Sequence, residues 1–324
     1  MPELPEVETI VRDLRPCLVG RRIMAVKVSR KSLRRPWQRQ WQKQLIGRGI
    51  SALRRRGKWI VLALDGEFFL VIHLGMTGQL RVVPDREPVA DHTHVICQLD
   101  GSTEQLRFRD IRRFGSATVL EDPDRLETFF QESNLGPEPF DLEAAYFRRC
   151  LAKTARCLKA VLLDQRVVAG VGNIYADEAL FESHLHPLRR GVDLSTAEAG
   201  RLRKGIVTVM NRAIHLRGSS IRDYIGGSGL KGRYQEEFRV YGRAGQPCPR
   251  CRKAIRRLRV AGRSAHFCPG CQNKCPIVPS NVCWARPTSN ASVDGCSAAV
   301  YWCSSPAAFG CTPARRNRWP TSRS

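Results

Sequence analysis

Four cysteines set the first chemistry. Cys248 and Cys251 form one C-x2-C pair, Cys268 and Cys271 a second, with sixteen residues between the pairs. Two such pairs at this spacing suit a tetrahedral thiolate site for Zn2+ better than a redox dithiol. Four protein ligands leave no open coordination position, so one structural zinc per chain is expected, not a catalytic one. The segment between the pairs, "RKAIRRLRVAGRSAHF", is rich in arginine and suits contact with phosphates.

A second chemistry sits at the chain start, "MPELPEVETI". Removal of Met1 would leave Pro2 with a free secondary amine. At a helix N-terminus the positive end of the dipole favours the neutral, nucleophilic form, and a terminal amine already titrates at about 8. Such an amine can attack a sugar C1′ and give a charged iminium, an electron sink. Glu3 stands beside it and Glu6 one helical turn on. Proline and glutamate also suit first turns for reasons of the dipole alone, and from spacing that simpler account suffices.

The elements that must position these groups can be read from periodicity. Val7, Ile10, Val11 and Leu14 recur at helical spacing, with Pro5 near the first helical position. From Gly20 to about Leu120 short alternating runs take over: "RIMAVKVS", "WIVLALD", "EFFLVIHL", "HVICQLD", "QLRFRD" and "SATVL". The fold class is therefore α+β, a helix followed by a β-sandwich domain. "NLGPEPFD" reads as a linker, and helical patterns dominate from about Leu142 to Leu216. Within them Gly170 and Gly172 interrupt an apolar stretch, so two helices should meet at a compact turn that allows close backbone approach. The polar, glycine-rich segment from Ser219 to about Tyr234 reads as a mobile loop. The expected domains are 1–133, a linker 134–143, a helical domain 144–240, a zinc module 241–274 and a tail 275–324.

The tail has five basic residues and one acid, which leaves +20 of the net +24 on residues 1–274. It lacks sustained periodicity and is expected to be unfolded, either an interaction tail or the product of a coding-frame accident. With 54 basic against 30 acidic residues, a polyanion is the first partner to consider. No basic amphipathic helix points to a membrane surface, and Asp65 and Glu67 break the longest apolar region too early for a span. Its "DG" reads as a hairpin turn. The first twenty residues mix acids and arginines, unlike a secretory signal, so an intracellular protein is expected.

"PELPEVETI", "RRRGKWIVL", "HLGMTGQL", "DIRRFG", "NLGPEP", "GVGNIYADEALF", "YGRAGQPCPRC" and "FCPGCQ" occur in this order. Together they resemble the bacterial formamidopyrimidine-DNA glycosylases, from Pro2 to about Gln272 or Lys274; the tail has no counterpart. The resemblance implies a base-excision repair enzyme of the bacterial cytosol. It would act as a monomer on double-stranded DNA, releasing oxidised purines and cleaving the abasic site. Pro2 would be the nucleophile and Glu3 the proton donor, with Lys58 and Arg263 giving protons during elimination and contacting phosphate. His94, Arg113 and Asn173 would bind DNA, and His73 would be a phosphate or scaffold residue. Met76, Arg112 and Phe114 would form a wedge that fills the gap left by the flipped base. Glu6, Tyr175, Glu178, Ser219 and Ser220 would line the lesion pocket, under a loop that closes over the base. "GVGNIYADE" would be a helix–two-turn–helix element clamping the backbone. The alternatives are an endonuclease VIII-like enzyme for oxidised pyrimidines and a non-catalytic zinc DNA-binding protein.

Overall fold

Helix α1 (Leu4–Leu18) is set by its first turn. Glu3 is its N-cap, and the Glu6 carboxyl reaches back to accept the Glu3 N–H at 2.8 Å. Its apolar stripe divides: Leu4 belongs to the core of the helical region, whereas Val7, Ile10, Val11, Leu14 and Leu18 belong to the core between the sheets. One helix thus joins two cores, and the chain start sits at their seam. The computed structural model describes residues 1–101, 103–220 and 231–272, all within the unit Met1–Val278. The expected tail and most of the segment expected as a loop lie outside these residues.

The sandwich consists of two four-stranded antiparallel sheets. One has the order β1-β6-β7-β5, from β1 (Ile23–Val28), β5 (Gly78–Pro84), β6 (Thr93–Leu99) and β7 (Glu104–Asp110). The other has the order β2-β3-β4-β8, from β2 (Ile50–Arg56), β3 (Trp59–Leu64), β4 (Phe68–His73) and β8 (Ser116–Leu120). The expected "DG" hairpin joins β3 to β4, with Gly66 at φ +70°. β2 and β5 lie outside the predicted runs. β2 ends in the charge run Arg54–Arg56, and β5 is bounded by Gly78 and Pro84, features that mask a strand in sequence. Short α2 (Gln40–Leu45) lies within the strand-rich stretch, and α3 (Pro123–Glu132) follows it.

The segment expected as a linker is pinned. Glu138 pairs with Arg55 and Arg56 and accepts the Gly57 N–H at 2.6 Å, while the Gly136 N–H reaches Gln165 O. Helices α4 (Ala144–Ala152), α5 (Leu158–Leu163), α6 (Asn173–Glu182) and α7 (Thr196–His215) follow. α7 begins with a Ser195–Glu198 capping box and packs on α1 and α6. Strands β9 (Arg256–Val260) and β10 (Arg263–Phe267) form the cysteine-flanked hairpin. Ala261 and Gly262, both at positive φ, make its two-residue turn and place Arg263 at the tip.

Candidate active site and nucleic-acid interface

The start of α1 meets the start of α6. The Gly170 carbonyl accepts the Leu4 N–H at 3.1 Å, and the Glu3 carboxyl accepts the Ile174 N–H at 3.0 Å and the Tyr175 N–H at 3.4 Å. Glu3 therefore caps α6 from outside, where unpaired N–H groups and the dipole favour an acid. Gly170 and Gly172 make this approach possible. A Cβ on Gly170 would lie 2.6 Å from Leu4, and one on Gly172 would lie 2.2 Å from the Glu3 carboxyl carbon. The partner of these glycines is the chain's own first turn. Gln165 braces the turn, accepting the Gly170 N–H and donating to Val171 O.

Glu6 is the second acid of the cluster, buried and met by four donors. These are the Glu3 N–H, the Tyr175 hydroxyl, and the N–H and hydroxyl of Ser219. Burial pushes its pKa up to about 7, helped by the charge of Glu3. Tyr175 is fully buried and tilted against Tyr234, so it holds Glu6 from behind. Ser220 accepts the Gly232 N–H at 2.8 Å and donates its own N–H to Gln235. Ser219 and Ser220 therefore tie down the base of the loop whose middle, residues 221–230, lies outside the described residues.

Lys58 enters from the turn between β2 and β3. Its ammonium is buried and donates to Val171 O at 3.1 Å. Burial pushes its pKa down; Glu3 raises it and Arg263 lowers it further. The tip of the cysteine hairpin thus carries Arg263 close enough to act on Lys58. Asn173, at the start of α6, is half-buried with its side-chain oxygen enclosed and unpaired. Met1 is exposed and Pro2 is buried next to Glu3.

The groups expected as a wedge project from two loops at one end of the sandwich. Met76 is 40% exposed and Phe114 45%, and the Arg112 guanidinium lies 4.8 Å from the Phe114 ring. Ile111, exposed beside them, is an apolar member that sequence reasoning missed. Arg113 is exposed at φ +57°. His73 begins one wedge loop and pairs with Trp59, the neighbour of Lys58. Burial and then Lys58 push its pKa down to about 4, and its Nδ1 accepts the Gly75 N–H, so the neutral ring carries its proton on Nε2.

Two expected site residues meet internal partners. His94 is 2% exposed, with Nδ1 on the Ser29 hydroxyl and Nε2 on Asp110 O. The Glu178 carboxyl accepts the N–H groups of Arg239, Val240 and Tyr241, which anchors the approach to the cysteine hairpin. A second missed group is the buried Lys159, which donates to Asn173 O at 2.7 Å and Asp177 at 2.6 Å. Asp177 in turn accepts the His266 N–H at 2.9 Å, binding β10 to α6. A lysine among apolar helical positions in "LKAVLL" was the available signal.

The four cysteine sulfurs lie within 4.8 Å of one another, with Cys248–Cys271 at 3.8 Å and Cys251–Cys268 at 3.3 Å. A tetrahedral zinc with ligands at about 2.3 Å sets its sulfurs roughly 3.8 Å apart, so the donor set fits the metal. Bound there, zinc would fix the hairpin that carries Arg263; these four ligands leave it no reacting position.

An acid pair thus lies where the start of α1 meets the start of α6, near a basic hairpin flanked by four clustered cysteines. Comparison with known proteins agrees throughout. Residues 1–117 match the formamidopyrimidine-DNA glycosylase N-terminal domain. Residues 135–224 match the H2TH domain of the same glycosylase, and 245–274 the zinc finger found in FPG and IleRS. The formamidopyrimidine-DNA glycosylase of Moorella thermoacetica is 47% identical over 262 residues, covering 80% of this chain and 95% of that protein. That of Desulforamulus reducens is 44% identical, covering 84% and 99%. The Lactococcus lactis FPG mutant G226P, solved with a Fapy-dG containing DNA, superposes with TM-score 0.79 at 36% identity, covering 84% of this chain and 100% of that one. The Lactococcus lactis Fpg solved with an abasic site containing DNA gives 0.78 at 35% identity, with the same coverage. The chain belongs to the formamidopyrimidine-DNA glycosylase family. It is a DNA glycosylase that acts on damaged bases.

Proposed function

We propose that this glycosylase excises oxidised purines, 8-oxoguanine and formamidopyrimidines, from double-stranded DNA and then cleaves the abasic strand by β- and δ-elimination. The observation that carries the reading is the convergence of Glu3, Glu6 and Lys58 near the chain start, from elements far apart in sequence, with the charge of Arg263 reaching Lys58.

With Met1 removed, the Pro2 amine attacks C1′ and the bond to the base breaks. Glu3 gives a proton to the ring oxygen, the sugar opens, and Pro2 is left as an iminium. That cation acidifies the C2′ protons; loss of one expels the 3′ phosphate, and a further elimination expels the 5′ phosphate. Lys58 and Arg263 assist as proton donors and phosphate contacts, and the lowered pKa of Lys58 makes its proton easier to give. Asn173 and Arg113 hold the backbone, while Met76, Arg112 and Phe114 replace the stacking lost on flipping. Glu6, Tyr175, Ser219 and Ser220 support the lesion pocket. One zinc per chain holds the hairpin. The Lactococcus lactis complexes with Fapy-dG and abasic DNA support the substrate class.

Borohydride trapping on an abasic duplex tests the chemistry. An adduct in the wild type, lost in Pro2→Gly, is expected, and intact mass should show that Met1 is absent. No adduct from wild type lacking Met1 would make the chain a binder without lyase chemistry. Release of 8-oxoguanine opposite cytosine should outpace release of thymine glycol; the reverse order would place the enzyme with the endonuclease VIII-like branch.

A further inference from the structure

The two wedge loops are separate in sequence, 74–77 and 111–115, yet they share one buried side chain. Asp110, at the end of β7, has no exposed surface. Its Oδ1 accepts the Thr77 hydroxyl at 2.5 Å and the Arg112 N–H at 3.3 Å, and its Oδ2 accepts the Gly115 N–H at 2.7 Å. Thr77 completes the bridge by accepting the Arg112 N–H at 3.1 Å. The Asp110 carbonyl adds two contacts, accepting the Arg113 N–H and meeting Nε2 of His94. Behind His94 stands Ser29, so this buried ring supports the hub from below.

The loops also touch backbone to backbone. A Cβ on Gly75, at φ +61°, would lie 2.4 Å from the Gly115 nitrogen and 2.5 Å from the Phe114 carbonyl carbon. Arg113 at φ +57° is a conformation that non-glycine residues keep only when their surroundings impose it. Inserting exposed apolar side chains into a base stack requires them to stay in position under load, and two independent loops on a sheet edge would splay. We propose that Asp110, with Thr77 as its bridge, is the positioning residue of the wedge, joining Met76 to Arg112 and Phe114 as one rigid unit. This rests on the wedge reading above. Asp110 touches no substrate; it acts through the loops it joins.

The test uses full-length protein and a duplex with 2-aminopurine beside the lesion, whose fluorescence reports insertion and flipping. Thr77→Val keeps shape but removes the bridging hydroxyl, and Thr77→Ser restores it. Asp110→Asn leaves an N–H donor facing another donor. Thr77→Val and Asp110→Asn should slow the fluorescence change about tenfold, as expected for one lost buried hydrogen bond at the insertion step, with Thr77→Ser near wild type. The ratio of borohydride trapping on duplex to that on single-stranded abasic DNA, which has no stack to fill, should fall alongside. If Met76→Ala and Phe114→Ala slow flipping but Thr77→Val does not, the proposal fails and the wedge stands. If Met76→Ala and Phe114→Ala leave flipping unchanged, the wedge reading itself fails. Should Asp110→Asn fail to fold, Thr77→Val against Thr77→Ser decides.

Discussion

Glu3 and Ile174 are 171 residues apart in the chain and joined by a 3.0 Å hydrogen bond. The first helix's cap residue is thereby also the cap of the sixth. The catalytic acid of the proposed reaction is held by the helix–two-turn–helix element as well as by its own first turn, so changes in that element should be felt at the reaction centre.

Gly172→Ala is the sharpest probe. The new Cβ would lie 2.2 Å from the Glu3 carboxyl carbon and push the acid out of place. A displacement of about 1 Å at a catalytic group costs on the order of a hundredfold in rate, and overpacking costs about 1–3 kcal/mol. Single-turnover base release and urea unfolding measure the two. Wild-type rates in Gly172→Ala would show that Glu3 is not held for catalysis.

Stability should carry a signature of Glu6. Its folded pKa, about 7, lies above the ordinary 4.5. An acid displaced this way contributes stability fully present below about 4.5 and lost as pH rises through about 7. The displacement is worth roughly 3 kcal/mol at full ionisation. Urea unfolding of wild type and Glu6→Gln at pH 5 and pH 8 should show wild type losing ground to the variant at the higher pH. A constant difference would exclude Glu6 as the source.

The buried ion pair between Lys159 and Asp177 should be costly to break on one side. Lys159→Met removes the ammonium paired with the buried Asp177 and leaves that carboxylate inside, at a cost of about 3–5 kcal/mol. Hydrogen exchange in residues 256–267 should rise, because His266 N–H is held by the same acid. Adding Asp177→Leu should recover part of the loss, since the pair then disappears as a whole. If the double variant is no better than the single, the charge left behind is not the cause.

Zinc removal should uncouple the hairpin from the rest. Chelation or Cys268→Ser is expected to lower DNA affinity while the β-sandwich persists by circular dichroism. Metal analysis should give one zinc per chain, and the same value after removal of residues 275–324 with their five cysteines. A lower zinc content in the shortened protein would bring the tail's cysteines into the site.

What the sequence determined by itself is what short-range spacing encodes. The C-x2-C pairs, the helical period of Val7 to Leu14, the "DG" turn and the ordered motifs each depend on neighbours along the chain, so they could be read directly. Tertiary structure alone decided the rest. Glu3 on the N-terminus of α6, the charge of Arg263 felt at Lys58, Asp110 joining two loops, and the inward partners of His94 and Glu178 all involve residues tens to hundreds of positions away. A polar residue's type says that it needs a hydrogen-bond partner once buried; only the packing of the sandwich against the helices chooses which partner it meets.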